Sequence, residues 1–169
     1  MIRILRLFLP KLSFAYHQIR ALTRDPSKSG ARDLLKYGSN IVLQECDLTS
    51  RPSLAEALKG AYGFYAVTNY FARKIEKEED NTEEEDAKLM ADTAKACGIK
   101  HYVWSTLPEY KEFSAGKWPH IHHFDGKHRM DSYVEKLGFD ITSYVVPSCY
   151  MQNFIDSSSR RVYTGNFFS

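Results

Sequence analysis

The first 17 residues contain no glycine, and all nine glycines of the 169-residue chain come after them. A G-x-G-x-x-G turn needs glycines so that backbone N–H groups at a helix N-terminus can approach a pyrophosphate. No such turn precedes the first strand-like segment. Cysteine is also scarce. Cys46, Cys97 and Cys149 lie about fifty residues apart, which is neither a zinc-ligand spacing nor a disulfide framework and suits a reducing compartment. A net charge of +2, without a basic patch or recognition motif, excludes a nucleic-acid polyelectrolyte. No apolar run is long enough to span a membrane, and there is no internal repeat or low-complexity segment. The N-terminal MIRILRLFLPKLSFAY imitates a targeting peptide only in part. Arg6 interrupts its apolar run, Pro10-Lys11 ends it, and no small-residue cleavage site follows. Ile2, Leu5 and Leu9 share one helical face, which predicts an amphipathic helix. The rival is a strand over Ile2–Leu9, which would bury two arginines at a cost of several kcal/mol.

What is present suits one domain: 43% hydrophobic and 14% aromatic residues can fill a core. Gln18–Arg24 (QIRALTR) reads as a strand, followed by a polar loop with Pro26 and a short helical pattern around Ala31, Leu34 and Leu35. Asn40–Leu48 is a second strand. Thr49–Lys59 is a helix, with Ser50 as cap, Pro52 in the first turn and Gly60 as stop. Gly63–Tyr70 is the third strand. The acidic run Glu76–Asp86 reads as a solvated loop and first helical turn, in which Thr82 and Glu85 fit a capping box. The helix continues to a stop at Gly98. His101–Thr106 is a strand, 107–122 a loop, His123–Leu137 a helix ended by Gly138, and Asp140–Pro147 the last strand. Such alternation predicts an α/β fold with parallel strands joined by right-handed crossovers.

Several segments together resemble the NmrA-like family of atypical short-chain dehydrogenases: RALTRDPSK (20–28), AYGFYAVTNY (61–70), AKLMADTAKACGIKHYVWSTL (87–107), HFDGK (123–127) and PSCYMQNF (147–154). The resemblance implies a Rossmann-like doubly wound sheet over residues 1–155, with a divergent tail at 156–169. On that register the first strand and glycine loop are lacking and the chain starts within the first helix, consistent with a truncated form. The smaller C-terminal substrate region of the family is lacking too. In the order 3-2-1-4-5-6 the first strand is central, so without it strands 2 and 3 separate from strands 4 to 6.

The resemblance also nominates residues. Arg24 and Lys28, after the first readable strand, would accept the 2′-phosphate of NADP, where an acid would select NAD; an exposed charge pair with Asp25 is the simpler role. Asp47 and Leu48 would border the adenine, or Asp47 would only shape a turn. Thr68, Asn69 and Tyr70 would lie beneath the nicotinamide ribose. Lys127 corresponds to a lysine that, in reductases of the superfamily, holds this ribose and activates a tyrosine four residues earlier. That earlier residue is His123 here, so the set with Ser105 is Ser–His–Lys, and His123 and Ser105 are the only catalytic candidates. Tyr150, Met151, Gln152 and Asn153 would close over the nicotinamide. His120, His122, His123 and His128 cluster without a metal-site spacing, and no metal is expected.

The expected function is that of an NADP(H)-binding, redox-sensing regulator. It would act through protein partners without direct nucleic-acid or membrane contact, in the cytoplasm or the nucleus, with cofactor binding impaired by truncation. The alternatives are an NADP-dependent reductase of a small carbonyl or quinone and a non-functional fragment.

Overall fold

A computed structural model describes residues 18–69, 83–117 and 122–147, the side chains of Tyr110, Phe113, His122 and His123 excepted. The predicted N-terminal helix, Thr82 of the capping box and the tail 156–169 lie outside these residues.

Five strands alternate with helices. They are β1 (Ile19–Thr23), α1 (Ser29–Arg32) running into a 3-10 turn (Asp33–Tyr37), β2 (Ile41–Glu45), α2 (Arg51–Leu58), β3 (Gly63–Ala66), α3 (Glu83–Ala96), β4 (His101–Ser105), α4 (Tyr110–Phe113), α5 (His122–Lys136) and β5 (Ile141–Val145). Every pairing among the described residues is parallel. β1 pairs β2 with Ile19 opposite Ile41, while β3, β4 and β5 form a separate sheet in that order, with Gly63 opposite His101 and His101 opposite Ile141. Among the described residues no strand joins the two sheets, and the segment Ile2–Leu9, read as a helix with a strand as its rival, lies outside them. The elements predicted from Gln18 onward are present with slightly shifted ends, and one addition stands out: the loop expected over 107–122 contains α4.

Alternating side chains of β1 point to opposite faces. Ala21 packs with Leu34 and Ile41 in a small core, joined by Ile19, Tyr37 and Leu43 under the 3-10 turn. Leu22, on the other face, packs into a much larger core built from Leu54 and Leu58 of α2, Phe64 and Ala66 of β3, Met90 and Ala94 of α3, Tyr102 and Trp104 of β4, and Met130 and Val134 of α5. Helical segments therefore cover both faces of β1, as in a doubly wound fold. Arg20 ties the first sheet to the second layer by donating to the carbonyl oxygens of Ala57 and Lys59 at the end of α2, at 3.0 and 2.8 Å.

The glycine stops after α3 and α5 are physical. Gly98 and Gly138 take φ of +74° and +63°, the left-handed conformation that spares a glycine the Cβ clash. The cap on α2 differs from expectation. Ser50 sits at the N-cap but makes no side-chain cap bond, and Asp47 closes the turn before it. Its Oδ1 accepts from the Thr49 amide and hydroxyl at 3.0 and 2.9 Å.

Candidate functional site

In parallel sheets of this type, ligands bind at the carboxyl ends of the strands, and most of the nominated residues that are described stand there. Arg24 and Lys28 follow β1 and are exposed. Between them, Asp25 is occupied by its own turn: Oδ1 accepts from the Ser27 amide at 2.9 Å and the Ser27 hydroxyl at 2.6 Å. These Ser27 bonds hold its carboxyl below the usual range, with the charge of Lys28 adding to the effect. Asp47 and Leu48 follow β2. Asp47 is exposed and shapes the turn just described, while Leu48 packs against the large core. Asn69 is exposed beyond β3. Tyr70, Tyr150, Met151, Gln152 and Asn153 lie outside the described residues. His123 is in the first turn of α5, one turn before Lys127, and the position of its side chain is not described.

Lys127 and Thr68, nominated separately, meet. The Lys127 ammonium, only 11% exposed, donates to the Thr68 carbonyl at 3.2 Å and to the Thr68 hydroxyl, and pairs with Glu83 Oε1 at 2.8 Å. The Thr68 hydroxyl in turn donates to Glu83 Oε1 at 2.6 Å. A lysine ammonium carries three donors, and these three acceptors account for all of them. The ammonium also lies 5.7 Å from the centre of the Trp104 ring, over its face, an attraction strengthened by desolvation. Burial pushes the Lys127 ammonium below its ordinary range, and the Glu83 carboxylate pulls it back up.

Glu83 is the residue the sequence reading missed. It belongs to the acidic run read as solvated, yet it is 7% exposed. It opens α3, where the helix dipole favours a carboxylate, and it faces α5 at its own Gly126. A Cβ added there would stand 3.6 Å from Glu84 Oε1 and 3.9 Å from Glu83 Oε2, so the small residue leaves room for both acids. Glu84 pairs with Arg129. The signal in the sequence was the four consecutive carboxylates Glu83–Asp86 in one first turn: more acid than a capping box uses.

Ser105 ends β4, is 2% exposed, and faces Tyr65 of β3. Burial pushes the Tyr65 phenol up, and the Ser105 hydroxyl opposes it. Ser105 is thus turned toward a phenol on the neighbouring strand. Behind the lysine, the Trp104 indole N–H donates to Asp131 Oδ1 at 3.0 Å, and His128 Nδ1 faces the other Asp131 oxygen at 3.4 Å. Burial raises the Asp131 carboxyl despite these partners. No group of acids, histidines or cysteines among the described residues could hold a metal ion, and no described helix is long and apolar enough to cross a membrane.

Comparison with known proteins bears on this arrangement. The sequence profile of the NmrA-like family matches residues 5–165. An NmrA-like family domain-containing oxidoreductase, FrzB, of Cladobotryum sp is 28% identical over 148 residues, covering 87% of this chain and 43% of its own length. The chain therefore spans less than half the length of that relative. Among solved structures, Nmra, a negative transcriptional regulator in complex with NAD, superposes with a TM-score of 0.68 at 24% identity, covering 87% of this chain and 43% of that one. Its complex with NADP gives a TM-score of 0.64 at 24% identity, covering 83% and 40%. These likenesses establish the shared fold.

Proposed function

The chain belongs to the NmrA-like family, and from that premise we propose that it is a nicotinamide-dinucleotide-binding regulatory protein that prefers NADP(H) and acts through protein partners. Residues 1–155 are its dinucleotide-binding domain. The observation that carries the reading is the engagement of Lys127. In reductases of the superfamily this lysine activates a tyrosine one turn earlier. Here that position is His123, and the ammonium donors go to Thr68 and Glu83. Such a lysine can meet a ribose hydroxyl by exchanging the Thr68 carbonyl, its longest bond at 3.2 Å, without any acid–base role. Arg24 and Lys28, exposed beside a carboxylate already used by Ser27, support reading of the 2′-phosphate. Regulation then follows by linkage: a cofactor that prefers one conformation shifts the population, and a partner reads the shift.

The names of related proteins favour a second reading, an NADP-dependent reductase of a small carbonyl or quinone, since FrzB is named an oxidoreductase. It would use His123 as proton donor. Calorimetric titration of the folded chain with NADP⁺ and NAD⁺, alongside NADPH oxidation with a carbonyl and quinone panel, separates the two. Binding selective for NADP⁺ without turnover supports the regulator. Turnover abolished by His123→Ala supports the reductase. Absence of heat with either nucleotide rejects both.

A further inference from the structure

The described residues offer Lys127 a single charge partner. Glu83 Oε1, on α3, is the one carboxylate within ion-pair distance of its ammonium, at 2.8 Å. The other charged groups around it are directed elsewhere. Glu84 is taken by Arg129, which also feels the charge of Asp125. From β4 the ammonium meets only the Trp104 ring, and Asp131 lies beyond that indole with His128 against it. A buried ammonium without a counter-charge loses its proton rather than remain unpaired. Breaking a buried pair on one side leaves the other charge uncompensated.

We propose that Glu83 is a positioning residue for dinucleotide binding: its carboxylate, bridging the Thr68 hydroxyl and Lys127, keeps the ammonium charged and aimed at the carboxyl end of β3. This inference rests on the reading of Lys127 as a ribose contact. The bridge fixes two things at once. The shared Oε1 orders Thr68 as donor to Glu83 and acceptor from Lys127, and this arrangement leaves the more weakly bonded Thr68 carbonyl as the acceptor a ribose hydroxyl displaces. A carboxylate read as solvent-facing charge thereby sets the ionisation of a residue 44 positions later in the chain (83 to 127).

Two measurements test this. Carbon NMR of the Lys127 ε-methylene, assigned by its loss in Lys127→Met, reads the ionisation with no nucleotide present. The wild-type lysine titrates below the ordinary lysine range yet stays charged at neutral pH. Glu83→Gln lowers its midpoint by about one pH unit or more, a tenfold change, and Glu83→Asp restores most of the loss. An unmoved midpoint in Glu83→Gln overturns the proposal. So does a lysine already uncharged at neutral pH in the wild-type chain, a result that needs no variant to fold. Calorimetry with NADP⁺ then reads the consequence. Affinity in Glu83→Gln falls roughly tenfold between about pH 6.5 and 9, against less than about threefold in the wild type. Parallel wild-type and variant profiles overturn the positioning role. A moved NMR midpoint in a chain that binds no NADP⁺ upholds the control of Lys127 by Glu83 and rejects the ribose reading instead.

Discussion

The half of the molecule built on β1 and β2 and the half built on β3, β4 and β5 treat charge in opposite ways. The first has a core centred on Ala21, Leu34 and Ile41, and it presents Arg24 and Lys28 to solvent. The second buries Tyr102 and Trp104 completely and draws a lysine and a glutamate in beside them. The difference follows from packing. Desolvating an ion pair costs several kcal/mol per ion, and only a half with three helices over three strands surrounds the pair with enough fixed partners to offset it. The thin half leaves Arg24 and Lys28 where water solvates them and holds Arg20 by carbonyl oxygens of α2 and its end rather than by a buried counter-ion. Under the proposed function the division is useful: a phosphate is met by accessible arginine, a ribose by a fixed ammonium.

The contrast can be broken most forcefully in the thick half. Trp104→Ala removes a fully buried indole that packs under Lys127 and bonds to Asp131. It should cost about 3–5 kcal/mol, against about 2–3 kcal/mol for Leu34→Ala in the thin half. Urea denaturation read by midpoint and slope checks this, and equal losses would show that the two cores are one cooperative unit of even density. Next in size is a change that should touch function alone. Arg24→Ala is expected to weaken NADP⁺ binding about tenfold, roughly 1.4 kcal/mol, while NAD⁺ binding and the unfolding midpoint stay put. A matched loss for both nucleotides would remove the 2′-phosphate assignment.

The smallest effect sharpens the view of the thick core. The Tyr102 hydroxyl is buried without a hydrogen-bond partner among the described residues, its ring stacked on Phe139 at 4.6 Å between centroids. Tyr102→Phe removes an unsatisfied group and should stabilise by about 1 kcal/mol. The same hydroxyl has a pH signature. Burial, with the charge of Asp92 adding, pushes the Tyr102 phenol far above its ordinary value. A phenol whose folded value is raised contributes stability that is fully present below its ordinary pKa of about 10 and is lost as pH climbs above it. Alkaline unfolding followed by phenolate absorbance should therefore begin above about pH 10 and flatten in Tyr102→Phe. An unchanged alkaline limb would mean that Tyr102 ionises in place.

Much of this was legible in the residues. Alternating apolar positions placed β1 through β5, and glycines marked where α2, α3 and α5 stop, because period and turn chemistry are local properties. Less local features were not. Ser50 was expected to cap α2, but it occupies the N-cap without a side-chain bond. The acidic run was read as solvated because a carboxylate series is usually a wet face, and the lysine that pairs with Glu83 lies 44 residues away in the sequence.

The sequence by itself determined the alternation of strands and helices, the parallel pairing that alternation demands, and the nomination of Lys127 and Thr68 as separate members of a site. The tertiary structure alone decided that the two meet over Glu83. Three residues from the end of β3, the start of α3 and the second turn of α5 share one oxygen only after the strands have paired and α3 has packed on α5. Burial, which turns a surface acid into a counter-ion, is a property of that assembled environment and is written in no single segment of the chain.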